Sequence, residues 1–407
     1  MTRAFLTHPQ PGGFKTYTVN LLSALAELDA ENEYIIYLDR PPTPDTPLPQ
    51  SDRFHYSVVD GSLPGLGMIL REQVGLRRRM SRDRLDLVHF LCNTACVNLN
   101  RKYVVTLHDT IQVTTATPFT LGRTLAEQKN WAVKAYSARN ILHSVDGAAT
   151  VITVSHYERE QISRALSIPQ SRIAVTHLAA NPVFQRASEA QRRGWREELS
   201  HELGIHGRYI MGVGYETRKN IPLLMEAFAQ IAPDFADLSL VLVVAQKAQA
   251  DSFRTYAQEL GVGARTVVLG QTPAARLARL YNVATLFVYP STRESFGLPP
   301  LEAMACGLPT MAMHASSIPE VVEDGALLVA STDAVEWAGA LRTLLTDECL
   351  YADLRRRGLA RASRLSWRTC AEETVAVYAG VLNPSPGIEL SHSYPANIAA
   401  SSPRIGY

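Results

Sequence analysis

Pro290-Ser-Thr-Arg-Glu-Ser-Phe-Gly-Leu-Pro-Pro-Leu-Glu-Ala-Met-Ala-Cys-Gly-Leu-Pro-Thr310 is the stretch from which the fold can be read, and it continues through His314 to Ser317-Ile318-Pro319-Glu320-Val321-Val322-Glu323-Asp324. Ahead of it, Ala284-Thr285-Leu286-Phe287-Val288-Tyr289 is an apolar run of strand length, too short for a core helix, and suits a buried parallel strand. The chain therefore leaves a sheet at Pro290. Gly297 supplies a flexible turn, and Pro299 and Pro300 suit the first turn of a helix, where a missing N–H costs nothing. Gly307 stands where a helix ends on a left-handed residue, and Pro309 forbids its return. The predicted unit is a strand, a loop and a short helix, placed at the carboxyl end of a parallel strand, where open sheets bind ligands.

Two carboxylates belong to this unit, Glu294 in the loop and Glu302 in the helix, and both are expected to face one cleft. Ionised carboxylates only accept hydrogen bonds, so they suit hydroxyl-rich ligands such as ribose and hexose. The backbone N–H groups of Ser295, Phe296, Gly297 and Leu298, near a helix start, suit a phosphate. A sugar nucleotide combines these features. The plainer alternative leaves Glu294 solvated in its loop and Glu302 complementing the helix dipole.

Glu294-x7-Glu302, embedded in Glu-Ser-Phe-Gly-Leu-Pro-Pro-Leu-Glu-Ala-Met-Ala-Cys-Gly-Leu-Pro, resembles the donor-site signature of the retaining, two-Rossmann-domain glycosyltransferases of family 4. The resemblance implies an α/β chain of GT-B architecture, two doubly wound Rossmann-like domains facing across a cleft. It also implies that Glu302 holds the donor ribose and Glu294 the hydroxyls of the transferred sugar, with the intervening amides at sugar and phosphate. The implied activity is transfer of a hexose from a nucleoside-diphosphate sugar to a glycan or lipid-linked acceptor, as in the mannosyltransferases of bacterial cell-surface polysaccharide synthesis. No cofactor is implied beyond the donor itself.

Composition is consistent with this. A length of 407 residues allows two or three domains, and 46% apolar with 19% charged residues is ordinary for a soluble globular chain. A formal charge of +1 argues against bulk nucleic acid as a partner. No apolar run reaches the ~18 residues of a spanning helix, and Met1 to Pro9 lacks the apolar region of a secretory signal, so a cytoplasmic location is expected. The five cysteines, Cys92, Cys96, Cys306, Cys349 and Cys370, are scattered, and buried free thiols are expected rather than disulfides or a metal site.

In the first half, a short apolar run, Ala4 to Thr7, leads into Pro11-Gly12-Gly13-Phe14 and an amphipathic helix predicted from Thr18 to about Leu28. Paired glycines there let a ligand approach the backbone closely. By the resemblance, Gly12 and Gly13 are the family's N-terminal glycine loop, facing the donor phosphates. The first strand is short for that family, as it would be with a start codon placed too late. Strand-like runs follow at Tyr34–Leu38, Phe54–Val59, Leu87–Leu91, Tyr103–Leu107, Ala148–Val154 and Ile173–Leu178, alternating with helical stretches as in a parallel, doubly wound sheet. His108-Asp109 stands at the tip of one such strand. The resemblance gives His108 a place beside the transferred sugar, and the alternative is a loop histidine capped by Asp109. Ser155 is expected to cap the helix after it. Arg77, Arg78, Arg79, Arg82 and Arg84 form a basic helix end, either a solvated face or a peripheral contact with an anionic membrane.

The second half opens near Arg186. By the resemblance, residues 1–185 would form an acceptor-side domain, 186–365 a donor domain and 366–382 a helix crossing back; the composition of 383–407 predicts a disordered tail. Tyr209 to Asn220 gives strand, Gly212-x-Gly214 loop and helix, without the third glycine of a dinucleotide fingerprint. Arg218 and Lys219, just before the helix, suit a diphosphate; the resemblance makes Lys219 the residue that neutralises the leaving diphosphate. Many family members carry an arginine where this chain has Val213, which leaves open whether Arg218 takes its place. The absence of any Asp-x-Asp triplet, with Lys219 at the phosphate site, predicts metal independence. Two rivals remain: a sugar-nucleotide epimerase of the same fold, and a noncatalytic binding or scaffolding partner.

Overall fold

The computed structural model describes residues 12–44, 46–59, 70–97, 99–114 and 125–384, without the side chains of 112, 114 and 125–134. The predicted strand at Ala4 to Thr7 lies outside the described residues, as does all of the predicted tail from residue 385 onward. In the first half, β1 (Tyr34–Leu38) and β2 (Phe54–Val58) form one parallel pair. A second parallel sheet holds β3 (Val88–Phe90), β4 (Tyr103–Thr106), β5 (Thr150–Thr153) and β6 (Ile173–Val175) in sequence order.

The second half carries β7 (Arg208–Val213), β8 (Leu238–Val243), β9 (Thr266–Leu269), β10 (Leu286–Tyr289), β11 (Thr310–Met313) and β12 (Leu327–Val329). Their spatial order is β12-β11-β10-β7-β8-β9, and every pairing is parallel. Counted from β7, this is the 3-2-1-4-5-6 order of a doubly wound Rossmann sheet, whose direction of winding reverses between β7 and β10. The strand sequences explain the layering. β4, β10 and β11 are buried at every position, as continuous apolar runs are when helices cover both faces of a parallel sheet.

The first helix spans Gly13–Leu28 and so begins before the predicted Thr18. Its apolar stripe reaches back through Leu25 and Leu21 to Tyr17, all essentially without exposure, and this draws the start to the glycine pair. The last helix, Trp367–Leu382, has the predicted bounds, with Ser366 accepting the Thr369 amide as its cap. It packs on the first helix and bonds to the first half: Trp367 Nε1 donates to the Ala180 carbonyl at 3.1 Å, and Tyr378 Oη lies 2.7 Å from His89 Nδ1. One apolar core runs through both halves, with Tyr17, Leu91 and Val154 joined to Phe296, Leu301 and Trp367.

Trp367 therefore fastens the last described helix to the first half. Trp367→Ala is expected to cost about 3–5 kcal/mol, read as a lowered urea midpoint, whereas Trp367→Phe should lose less; equal midpoints for Trp367→Ala and the unaltered chain would contradict this packing role.

Candidate active site in the cleft

The signature folds as its prolines and glycines predict. Leu298–Ala305 is helical with prolines in its first turn, Gly297 has φ 99°, and Gly307 closes the helix at φ 71°. The loop between β10 and this helix is held from beneath: Ser316 Oγ accepts the Glu294 N–H at 2.8 Å, and Ser317 Oγ lies 2.9 Å and 3.0 Å from the Glu294 and Phe296 carbonyls. Phe296 is buried. Among the described residues, the amides of Ser295, Phe296, Gly297 and Leu298 donate no hydrogen bond, leaving a row of N–H groups at a helix start free for an anion.

Glu294 is 7% exposed. Its Oε1 receives Lys219 Nζ at 2.7 Å, Arg218 Nη1 at 2.9 Å, Tyr289 Oη at 2.9 Å and the Ser291 hydroxyl. Oε2 has no protein partner among the described residues. Burial alone would raise this carboxyl, but the Lys219 ammonium and the Arg218 guanidinium outweigh it and hold it below the ordinary glutamate value. Lys219 is pulled below the usual lysine value by burial, against the attraction of Glu294. Arg218 also bonds the Arg293 carbonyl at 2.8 Å and Glu216 at 2.5 Å, so its guanidinium is fixed across the loop.

Both cations follow β7 and both carboxylates follow β10, the two strands that flank the reversal of winding. Glu302 is partly buried on the signature helix, and its carboxylate makes no hydrogen bond or ion pair among the described residues. Burial pushes its pKa up to about 8, with Lys219 pulling the other way. The partly filled dinucleotide pattern at Gly212 and Gly214 has a different purpose. Gly214 has φ 145°, and a Cβ there would stand 2.6 Å and 2.8 Å from Cγ and Cβ of Lys219, so the missing side chain is what lets the lysine stem cross the backbone to Glu294.

The first half supplies the facing wall. Gly12 and Gly13 are exposed, and a Cβ on either would meet nothing within 4 Å. The helix they begin brings Phe14 and Tyr17 edge-on to the His108 ring, at 4.8 Å and 4.7 Å between centroids. His108 Nε2 lies 3.0 Å from the Leu91 carbonyl, which can only accept, so Nε2 carries the proton and Nδ1 is the acceptor. Burial pulls its pKa down to about 4, which keeps the ring neutral. Asp109 does not cap this histidine; its carboxylate accepts the Ile111 amide at 3.0 Å. Ser155 caps its helix by accepting the Glu158 N–H at 3.1 Å, as predicted, and also donates across the cleft to the Ser295 carbonyl at 2.7 Å. Arg293 Nη2 lies 3.4 Å from Thr110 Oγ1. The two halves meet at Ser155–Ser295 and Thr110–Arg293; Glu294, Lys219 and Arg218 cluster beside that contact with Glu302 on the helix that follows, and His108 stands two residues before Thr110, against the helix that Gly13 begins.

Other predicted features stand apart. Arg77, Arg78, Arg79, Arg82 and Arg84 are exposed, with Arg79 paired to Asp83 at 3.4 Å, and no contact joins them to the cleft among the described residues. All five cysteines are free, but Cys349 is exposed rather than buried because it sits on the outer face of a surface helix. His156, His177 and Glu320 bring metal-capable atoms within 4.8 Å of one another, yet both Glu320 oxygens are already taken by backbone amides of His156 and Tyr157. Sequence reasoning passed over Tyr289, Ser291, Ser316, Ser317, Arg293 and the purpose of Gly214. The serines lay within or just after the signature, but hydroxyls in a loop carry no pattern of their own.

Two Rossmann-like domains facing across a cleft define the GT-B fold of glycosyltransferases. The chain has this fold: it superposes on sucrose-phosphate synthase of Thermosynechococcus elongatus with a TM-score of 0.71 at 21% identity, covering 93% of this chain and 96% of that one. It superposes likewise on Anabaena Alr3699/HepE in complex with UDP and glucose, with a TM-score of 0.67 at 19% identity, covering 92% and 97%. Residues 11–182 match Glycosyltransferase Family 4, and residues 209–361 match Glycosyl transferases group 1. Each model matches less than half of the chain, and the two lie side by side along it. The O-antigen chain mannosyltransferase B of Escherichia coli is 32% identical over 246 residues, which cover 60% of this chain and 64% of that protein, just under two thirds of its length. No described helix is long and apolar enough to cross a membrane.

The Gly214 geometry is open to a direct test. Gly214→Ala should lower the thermal midpoint, measured by scanning calorimetry, because an alanine is strained at φ 145° and its Cβ displaces the Lys219 stem; an unchanged midpoint would contradict this close approach.

Proposed function

We propose that this chain is a retaining hexosyltransferase that moves a sugar from a nucleoside diphosphate to a glycan or lipid-linked acceptor in cell-surface polysaccharide synthesis. The observation that carries this reading is the buried Glu294 carboxylate held by Lys219 and Arg218 beside a row of unbonded amides, at the reversal of winding in the sheet. The similarity to an O-antigen mannosyltransferase supports a hexose donor and a polysaccharide product, and the UDP and glucose named with the Anabaena protein support a nucleotide sugar in this kind of cleft. Residues 1–185 would form the acceptor side and 186–365 the donor side, with 366–382 crossing back.

The barrier is cleavage of the glycosidic C–O bond, with positive charge growing on the sugar ring and negative charge on the departing diphosphate. Lys219, Arg218 and the amides of Ser295 to Leu298 meet that negative charge, and they are already in place before the reaction begins. Arg218 supplies the second cation that Val213 cannot. Oε2 of Glu294 is free for a hydroxyl of the transferred sugar, while Oε1 keeps Arg218, Tyr289 and Ser291 as Lys219 turns to the phosphate. Neutral His108, its Nδ1 an acceptor, takes another sugar hydroxyl from the opposite wall. Glu302 takes the ribose. In the retaining reaction the acceptor attacks the face the diphosphate leaves, and a phosphate oxygen takes its proton, so no protein nucleophile is needed. Closing the cleft excludes water that would hydrolyse the donor. The epimerase rival predicts a new sugar nucleotide from donor alone, without acceptor, and the noncatalytic rival predicts no donor turnover at all.

The two glutamates hold different halves of the donor, which separates their substitutions. Glu302→Ala should weaken the free nucleoside diphosphate and the whole donor alike, by about 1.5–3 kcal/mol. Glu294→Ala should spare the free diphosphate in calorimetry but lower turnover and donor affinity, because its partners are hydroxyls of the sugar. Loss of the free diphosphate in both variants to the same degree would refute the division, and indifference to both would refute the donor site.

With cations supplied by side chains, transfer should proceed undiminished in excess EDTA; activity abolished by chelation and restored by magnesium or manganese would refute the metal-independent mechanism.

A further inference from the structure

Apart from the charge cluster, the Glu320 carboxylate joins the two halves of the molecule. Glu320 lies in the helix Ile318–Val322 after β11, and its Oε1 and Oε2 accept the backbone N–H groups of His156 at 2.7 Å and Tyr157 at 3.0 Å. These are the first residues of the helix His156–Leu166 in the other half. His177 Nε2 donates to the same Oε1 at 2.8 Å. Burial would raise this carboxyl, but His177 and the two amides outweigh it and hold it below the ordinary glutamate value. A helix start leaves its first N–H groups without intrahelical partners and carries partial positive charge, so an ionised carboxylate there is a strong and directional partner.

The same helix start reaches the signature at two further points. Ser155 Oγ donates to the Ser295 carbonyl at 2.7 Å, and the fully buried Glu158 carboxylate, which has no hydrogen-bond partner, faces Arg293 at 4.0 Å. Arg293 and Ser295 flank Glu294. Glu320 itself is tied to the signature from its own side, because Ser317, the residue before its helix, holds the Glu294 and Phe296 carbonyls. A short chain of bonds therefore runs from the first half through Glu320 and Ser317 to the loop that carries Glu294.

We infer that Glu320 is a positioning residue that latches the two halves together at the cleft width where the Glu294 loop meets the acceptor side. This rests on the glycosyl-transfer reading above for its kinetic consequence, although the latch itself does not. Glu320 touches none of Lys219, Arg218 or Glu302, so the donor-side grip on a nucleoside diphosphate is independent of it. What it controls is the closed arrangement in which transfer takes place.

The test pairs kinetics with a measure of shape. Glu320→Ala should lower kcat for transfer by about 10- to 100-fold, as misplacement by about an ångström does, while the calorimetric Kd for UDP or GDP stays within about twofold of the unaltered chain. Glu320→Gln, whose one oxygen can still accept an amide, should fall between the two. Spin labels placed on exposed positions of the two halves should report a longer or broader distance distribution in Glu320→Ala. Undiminished kcat in an active enzyme, or nucleotide affinity lost in step with kcat, would overturn the positioning role. If the unaltered chain transferred no sugar from any donor, the glycosyl-transfer reading would fall by itself, and the distance measurement would still decide the latch: an unchanged distribution in Glu320→Ala overturns it.

Discussion

A carboxylate taken out of water must be repaid by charge and hydrogen bonds of good geometry, or it takes up a proton. Glu294 is such a group, and the cleft is arranged around satisfying it. Lys219, Arg218, Tyr289 and Ser291 all meet one of its oxygens, which keeps the other oxygen charged and open. The same contacts place two cations beside a row of amides. One electrostatic requirement thus brings groups suited to an anion, and an oxygen suited to a hydroxyl, together from the loops after β7 and β10 before any ligand arrives. A ligand phosphate would exchange one partner of Lys219 for another, so binding would cost little reorganisation.

The strand order makes that meeting possible. Lys219 and Glu294 lie 75 residues apart, and they meet because β7 and β10 are neighbours in the sheet. Where the winding reverses, the loops after the two strands diverge to opposite faces and open a crevice between them. Gly214 then lets the lysine stem lie against the backbone instead of arching over it. The opposite wall contributes groups of another character: a neutral imidazole packed between two aromatic rings, and two glycines with open space before them. Charge is concentrated on one side of the cleft and shape on the other, which suits a ligand with an anionic end and a hydroxyl-bearing end.

The joint between the halves is polar where it borders the site and apolar farther away. Near the signature it includes a hydroxyl on a carbonyl and a carboxylate on two amides; farther off, Trp367 and the last helix bury apolar surface against the first. The crossing helix keeps the halves joined.

Local sequence determined the parts. Glycine and proline at 297, 299, 300 and 307 were enough to place a loop and a short helix after an apolar strand, because the backbone angles they favour do not depend on the rest of the chain. The last helix, expected from its resemblance to the family's final helix, folds as Trp367–Leu382 behind a serine cap. The spacing of Glu294 and Glu302 made the loop a candidate for a sugar nucleotide. The start of the first helix was misplaced because its outermost turn is stabilised by burial of Tyr17, a tertiary effect. Tertiary structure alone decided which cations face Glu294, that Gly214 serves Lys219 rather than a dinucleotide, and that Glu320 reaches a helix 164 residues earlier in the chain. Periodicity and turn chemistry act over a few residues, but a charge pair forms only where the order of strands and the docking of two domains bring its members within a few ångströms.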